Sequence, residues 1–112
     1  MPTRMTEHAY LVLLALADGP RHGYGVVLAI RDLSDGAVRL GAGTLYGLLD
    51  RLAGGGLVEP CGEEVVDGRL RRYYRLTDDG AAAAAAETAR LRALARRAGA
   101  VLRARPAIGG AS

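Results

Sequence analysis

The feature that most restricts the fold is the order in which short helical and extended patterns follow one another along this chain of 112 residues. Three segments carry apolar residues at spacings of three, four and seven, the period of a helix that buries one face. These segments begin near Thr6, Gly23 and Ala42, and turn-forming residues separate them. Two strand-like segments follow, joined by Asp67 and Gly68, a dipeptide typical of a two-residue hairpin turn.

The helical periodicity predicts which side chains pack inward. The third helix, from about Ala42 to Ala53, has the clearest apolar stripe, and Gly54, Gly55 and Gly56 end it. We expect buried faces formed in the first helix by Tyr10, Leu13, Leu14 and Ala17, in the second by Val27, Ile30 and Leu33, and in the third by Leu45, Leu48, Leu49 and Leu52.

The two strand-like segments predict a small β-hairpin. The first reaches the turn through an irregular stretch that contains Pro60 and Gly62, and the second runs from Arg69 to Leu76. Tyr73 and Tyr74 should point to opposite faces of the second strand, so that one of them packs in the core. Three short helices followed by a two-stranded ribbon predict a mainly α fold with a small hairpin, the order of a winged helix-turn-helix.

A long helix should follow the hairpin. Thr77 is a suitable N-cap, and acidic residues in the first turn favour a helix that continues to about Arg105. Four apolar residues follow one another at alternating spacings of three and four, the pattern of a coiled-coil seam. The pattern predicts dimerisation through the same helix of a partner subunit, and its residues are Leu91, Leu94, Ala98 and Val101. We therefore expect a DNA-binding domain over residues 1–76, a dimerisation helix over 77–105 and a flexible tail over 106–112.

The outward face of the third helix is the candidate surface for contact with DNA. A recognition helix reads base edges in the major groove from its first turns while its opposite face packs on the domain. With the leucines inward, Thr44 can touch a base edge or a phosphate, Tyr46 can donate to a phosphate, and Arg51 can neutralise one. Gly43 allows the backbone to approach a phosphate closely. Asp50 also faces outward, where its charge opposes phosphate.

The hairpin carries the densest group of basic residues. Arg69, Arg71 and Arg72 lie beside the predicted turn, where a wing can place cations along the DNA backbone or in the minor groove. The formal net charge of the chain is only +3, so this clustering is more informative than the total. We expect double-stranded operator DNA to be the partner of this surface.

Other function classes find little support in the sequence. Cys61 is the only cysteine, His8 and His22 lack neighbours at ligand spacing, and no glycine-rich phosphate loop is present. We expect no enzyme activity, cofactor, metal or membrane association, a cytoplasmic location, and a capping role for His22 at the second helix. A winged dimer that binds proteins instead of DNA stays open as an alternative.

Three motifs together resemble the PadR family of bacterial regulators. They are LLALADGPRHGY at residues 13–24, GTLYGLLDRLAGGGLV at residues 43–58 and GRLRRYYRLTDDG at residues 68–80, so that the resemblance covers roughly residues 5–85. Members of this family often have Pro at the position of Leu70, so the sequence departs from the family there.

The resemblance implies a winged helix-turn-helix repressor that dimerises through its C-terminal helix and acts on a near-palindromic operator. It also implies a possible small amphipathic effector. By position, Thr44 and Tyr46 look like recognition-helix contacts, and the hairpin arginines look like wing contacts. Tyr24 resembles a residue of the second helix placed near the DNA backbone or the core.

Overall fold

The computed structural model describes residues 5–107. Within them the chain forms four helices and three strands, and the helical part dominates, as the sequence predicts. In chain order they are α1 (Glu7–Ala15), β1 (Arg21–His22), α2 (Gly23–Leu33), α3 (Ala42–Gly54), β2 (Val58–Val66), β3 (Arg69–Leu76) and α4 (Asp78–Ala104).

Side-chain caps define the starts of three helices. The Thr6 hydroxyl accepts a hydrogen bond from the Ala9 amide at 3.1 Å, and the Thr77 hydroxyl accepts one from the Gly80 amide at 3.0 Å. His22 caps α2, because its Nδ1 accepts from the Gly25 amide at 3.2 Å, which confirms the role predicted for it. Each cap satisfies a backbone donor that the helix itself leaves without a partner.

The sheet has three antiparallel strands with β3 in the centre, so the prediction of a two-stranded ribbon was wrong in one respect. The additional strand is β1, whose Arg21 and His22 pair with Tyr74 and Tyr73. A segment of two residues is too short to show a periodicity in the sequence. Only its pairing with β3 in the folded chain makes it a strand. The β2–β3 hairpin follows the prediction, with a bulge between Pro60 and Gly62.

The hairpin turn has the geometry that its dipeptide predicts. Asp67 and Gly68 have φ angles of 52° and 75°, the left-handed conformation that a two-residue turn of this type requires. The two tyrosines of β3 point to opposite faces, because Tyr74 is buried in the core and Tyr73 is half-buried.

The core lies where α1, α2 and α3 meet the sheet. The predicted α3 stripe is confirmed, since all four leucines are buried. The predicted face of α1 was wrong except for Leu13: Tyr10 and Leu14 are half-buried and Ala17 is exposed. Because α1 is apolar almost throughout and contacts α2, α3 and α4, it is buried on several sides and periodicity cannot define its inner face. Its buried residues are Ala9, Leu11, Val12, Leu13 and Ala15.

The end of α2 also differs from the prediction. Val27 and Ile30 are buried, but Leu33 is 51% exposed. Leu33 is the last residue of the helix, and Ser34 terminates α2 just beyond it. The prediction for Leu33 was therefore wrong, because two successive steps of three residues rotate Leu33 about 120° around the helix from Val27 and move it to the edge of the buried face.

The first turns of α4 pack closely on the rest of the molecule. The Thr77 amide donates to the Leu57 carbonyl at 3.2 Å, and the Thr77 hydroxyl donates to the Gly56 carbonyl at 2.6 Å. Further along, the hydroxyls of Tyr10 and Thr88 share a hydrogen bond of 2.6 Å between α1 and α4. Beyond Thr88 the helix projects from the core, and the molecule measures 65 Å along its longest axis. Most of the predicted tail, 106–112, lies outside the described residues.

Candidate nucleic-acid interface

The outward side of α3 carries the residues that the sequence singled out. Gly43, Thr44, Tyr46 and Arg51 are all exposed, as is Asp50, while the leucines of the same helix point into the core. This division leaves one face of α3 open along its length.

The N-terminus of α3 has no side-chain cap. Gly41 occupies the N-cap position and has no side chain that could accept a hydrogen bond from the first amide groups of the helix. Nothing lies within 4 Å of the point where a Cβ would stand at Gly43. Amide groups at such a helix start point outward together with the positive end of the helix dipole, which suits an anionic oxygen.

Tyr46 and Gly23 bring α3 against the start of α2. A methyl group at Gly23 would lie 2.6 Å from the Tyr46 hydroxyl, so the glycine makes room for the tyrosine ring. Tyr46 is nevertheless 45% exposed, and Tyr24, on the first turn of α2, is 59% exposed. These two rings border a cleft of about 420 Å³, whose opposite wall is formed by Arg69, Leu70 and Arg71 of the hairpin. The cleft thus joins the helices to the wing.

Arg71 is tied to the start of α2 by His22. Its Nη1 atom lies 3.0 Å from Nε2 and 3.3 Å from Nδ1 of the imidazole. In the register of β2 and β3, Glu64 lies opposite Arg71, and its carboxylate accepts a hydrogen bond from the Tyr73 hydroxyl at 2.9 Å. The Tyr73 ring also packs edge-on to His22, with 5.5 Å between ring centroids. This network joins β1, β2 and β3.

The network changes the titration of two of its members. Burial, and next the positive charge of Arg71, lower the pKa of His22, while Glu64 opposes the shift. The hydrogen bond to Glu64 raises the pKa of Tyr73. Sequence reasoning missed these contacts because β1, which brings His22 to the hairpin, had not been predicted.

The three hairpin arginines therefore have different environments. Arg69 and Arg72 are exposed, and no carboxylate of residues 5–107 forms an ion pair with either. Arg71 is half-buried in the contact with His22. The next basic residue along β3, Arg75, forms an ion pair with Glu59 at 2.5 Å. The exposed cations of the wing without an ion pair in residues 5–107 are thus Arg69 and Arg72.

The second half of α4 exposes the predicted seam. Leu91, Leu94 and Val101 are 37%, 53% and 68% exposed, and Ala98 is exposed as well. Leu102 adds a further aliphatic side chain that is 63% exposed. Residues 5–107 thus leave a large apolar surface of α4 uncovered.

The described part of the chain offers little for other kinds of site. Across residues 5–107, no group of three or more potential ligands is placed to hold a metal ion. Cys61 is exposed and forms no disulfide. None of the helices in this range combines the length and the apolar character of a membrane span.

Three packed helices, the third with one open face, followed by an antiparallel hairpin that projects beside it, define a winged helix-turn-helix protein. Residues 12–86 match the family described as the transcriptional regulator PadR-like family. The chain belongs to this family of transcriptional regulators.

Individual relatives agree with this assignment. The transcriptional regulator Rv3488 of Mycobacterium tuberculosis is 40% identical over 85 residues, which are 76% of each chain. An uncharacterized 37.1 kDa protein of transposon Tn4556 from Streptomyces fradiae is 47% identical over 70 residues, 62% of this chain. The present chain spans only 19% of the length of that transposon protein.

Among solved structures, Bacillus subtilis PadR in complex with operator DNA has a similar fold. The TM-score is 0.66 and the sequence identity 19%, and the match covers 76% of this chain and 48% of that chain.

Proposed function

We propose that this protein is a transcriptional repressor that binds operator DNA as a homodimer. The observation that carries the proposal is the open face of α3, which lies across one cleft from the arginines of the wing. Recognition helices and wings in this arrangement contact adjacent grooves of one duplex. The solved complex of Bacillus subtilis PadR with operator DNA supports the same use of the shared fold.

In this proposal α3 enters the major groove. Thr44 contacts a base edge, Gly43 allows a phosphate to reach the uncapped helix start, and Tyr46 donates to the backbone. Arg51, exposed near the end of α3, neutralises a phosphate on the far side of the groove. Tyr24 meets the backbone beside Tyr46, since both rings border the same cleft.

The wing supplies contacts that do not depend on sequence. Arg69 and Arg72 are exposed cations on the strand that leaves the turn, so they can follow the phosphates or enter the minor groove. Arg71 is held by His22 in the cleft and contributes from a fixed position. A guanidinium whose position is fixed in advance loses less freedom when DNA binds.

We further propose that residues 77–105 form the dimerisation element and residues 1–76 the DNA-binding domain. The exposed seam of α4, with Leu91, Leu94, Ala98 and Val101, supports pairing with a second copy. Two-fold symmetry would then place the recognition helices about 34 Å apart, one turn of the duplex. The operator would be near-palindromic, the protein would act in the cytoplasm, and a small amphipathic ligand would release it from DNA.

Fluorescence anisotropy with labelled DNA tests the proposal. The DNA upstream of its own gene and a shuffled duplex of equal length and composition are titrated at physiological salt. We expect the upstream DNA to bind at least about 10³-fold more tightly than the shuffled control. Equal affinity for both duplexes would contradict sequence-specific repression, and a stable dimer that binds neither would favour a protein-interaction module.

A further inference from the structure

Asp50 is an acidic residue on the face of α3 that is proposed to meet DNA. It is exposed, whereas the four leucines of the helix are buried on the other side. At about 100° per residue, Asp50 lies about 40° around the helix axis from Tyr46 and about 100° from Arg51 on the other side. Its carboxylate therefore lies between two side chains that are proposed to contact phosphates on either side of the major groove.

No cation of the described chain occupies this carboxylate. Within residues 5–107, no Arg or His forms an ion pair with Asp50. A cation on the same helix could pair with it from positions three and four residues away. These positions carry Tyr46, Gly47, Ala53 and Gly54. The carboxylate oxygens are therefore available to a hydrogen-bond donor outside the chain.

The surface of α3 around Asp50 is open. Gly47 lies one turn before it and Gly54 one turn after it, and nothing in the described part of the chain lies within 4 Å of the point where a Cβ would stand at either glycine. A helix with its side chains is about as wide as the major groove, roughly 12 Å. A helix without side chains at these two positions can come closer to the base edges, which brings the third turn of α3 and Asp50 within their reach.

DNA offers a carboxylate few favourable partners. The phosphates repel it. The hydrogen-bond donors on base edges in the major groove are the amino groups at N4 of cytosine and N6 of adenine. Adenine presents the acceptor N7 beside its amino group, and this acceptor opposes a carboxylate, whereas cytosine presents no acceptor there. Cytosine is therefore the base that suits an acidic side chain best.

We propose that Asp50 selects a cytosine in each half-site of the operator by accepting a hydrogen bond from the N4 amino group. This inference rests on the proposed DNA-binding function and assigns one base to one residue within it. At guanine or thymine, the carboxylate would face acceptors and lose its hydration without gaining a donor. Asp50 therefore favours the correct base and also disfavours the others.

Selection of DNA from a random pool by the wild type and two variants tests the assignment. We expect the wild type to enrich cytosine at one position of each half-site, and Asp50→Ala to show no preference at that position. Asp50→Asn should prefer adenine there, because an amide matches both N6 and N7 of adenine. The matched control is Asp32→Asn, which removes an exposed carboxylate of α2 and should select the wild-type sequence.

Fluorescence anisotropy with the selected duplex tests the contact at a single amino group. The cytosine is replaced by 2-pyrimidinone, which differs from it only by the absence of the 4-amino group. The wild type should bind the altered duplex at least about fivefold more weakly. Asp50→Ala should bind both duplexes nearly equally, because the contact is already absent. Equal affinity of the wild type for both duplexes would overturn the proposal.

Two further outcomes distinguish this inference from the proposed function. If Asp50→Ala and Asp50→Asn bind every duplex more tightly and keep the wild-type base preference, Asp50 only repels phosphates and the inference is wrong, while sequence-specific binding stands. If the wild-type pool stays random, the proposed function fails together with the inference.

Discussion

Gly80 makes a close contact between α4 and the rest of the protein, and replacing it should show how firmly that helix is anchored. A methyl group at Gly80 would overlap the Leu57 carbonyl oxygen and lie 2.7 Å from Cδ1 of Leu76. A backbone oxygen cannot rotate away as a side chain can. Restoring ordinary contact, at a separation of ~3.5 Å, requires α4 to move by more than ~1 Å.

The cost of Gly80→Ala follows from what this movement breaks. The shift lengthens the hydrogen bonds from Thr77 to the Leu57 and Gly56 carbonyls, at roughly 1 kcal/mol each. Residual strain in the packed contact adds about 1–3 kcal/mol. The higher helix propensity of Ala offsets roughly 0.5–1 kcal/mol of this. We expect the free energy of unfolding to fall by about 2–4.5 kcal/mol and Tm to fall by roughly 10–25 °C.

Thermal and urea denaturation at one protein concentration measure this change. The matched control is Gly47→Ala in α3, where nothing lies within 4 Å of the added methyl group. The same substitution there should stabilise the protein by about 0.5–1 kcal/mol. A Gly80→Ala variant as stable as Gly47→Ala would show that α4 is not anchored by this contact.

Three further predictions concern DNA binding, pH and assembly. Arg72→Gln should weaken binding to operator and shuffled DNA alike and reduce the salt dependence of the binding constant by about one phosphate contact. Thr44→Ala should change the preferred base at one position and leave the salt dependence unchanged. The reverse pattern would show that Arg72 reads a base and Thr44 contacts a phosphate. Because the pKa of folded His22 lies below its ordinary value of 6.5, the free energy of unfolding should decrease as pH falls below 6.5 toward the lowered pKa. His22→Asn keeps a cap but does not titrate, so its free energy of unfolding, measured in urea, should decrease less over the same pH range. Equal decreases in both proteins would show that His22 does not cause the pH dependence. Leu94→Asp should weaken self-association at least about tenfold in analytical ultracentrifugation, and an unchanged sedimentation profile would exclude the α4 seam.

The sequence predicted those parts of the fold that local chemistry specifies. The α2, α3 and α4 boundaries follow from caps and glycines that act within a few residues, such as Thr77 and Gly55. The hairpin follows from Asp67 and Gly68, whose turn needs no tertiary contact to be favoured. The inward face of α3 was predicted because polar and small residues alternate with its leucines.

Other features depend on parts of the chain that are far apart in sequence, and periodicity could not reveal them. The contact between His22 and Arg71 joins positions 49 residues apart and requires β1, which exists only through pairing with β3. The close approach of Gly80 to Leu57 depends on how α4 leaves the sheet. The inward face of α1 was predicted wrongly for a different reason. Almost every residue of that helix is apolar, so the sequence could not show which side is buried.

For the candidate interface, the sequence predicted exposure but could not define individual environments. Thr44, Tyr46 and Arg51 are exposed as a stripe opposite the leucines should be. The three wing arginines looked equivalent in sequence, yet Arg71 is held by His22 while Arg69 and Arg72 are unpaired within the described part of the chain. Alternation along β3 places Arg72 on the face opposite Arg71. Arg69 shares the face of Arg71 but lies farther from β1, which carries His22 and pairs with β3 only at Tyr73 and Tyr74.

Selection of DNA from a random pool by the purified protein tests the central claim most directly, because it asks at once whether α3 reads sequence and whether two copies bind together. The account predicts enrichment of one inverted repeat whose half-site centres lie about one helical turn, ~10 base pairs, apart. A pool that stays random, or a selected site without two-fold symmetry, would contradict it.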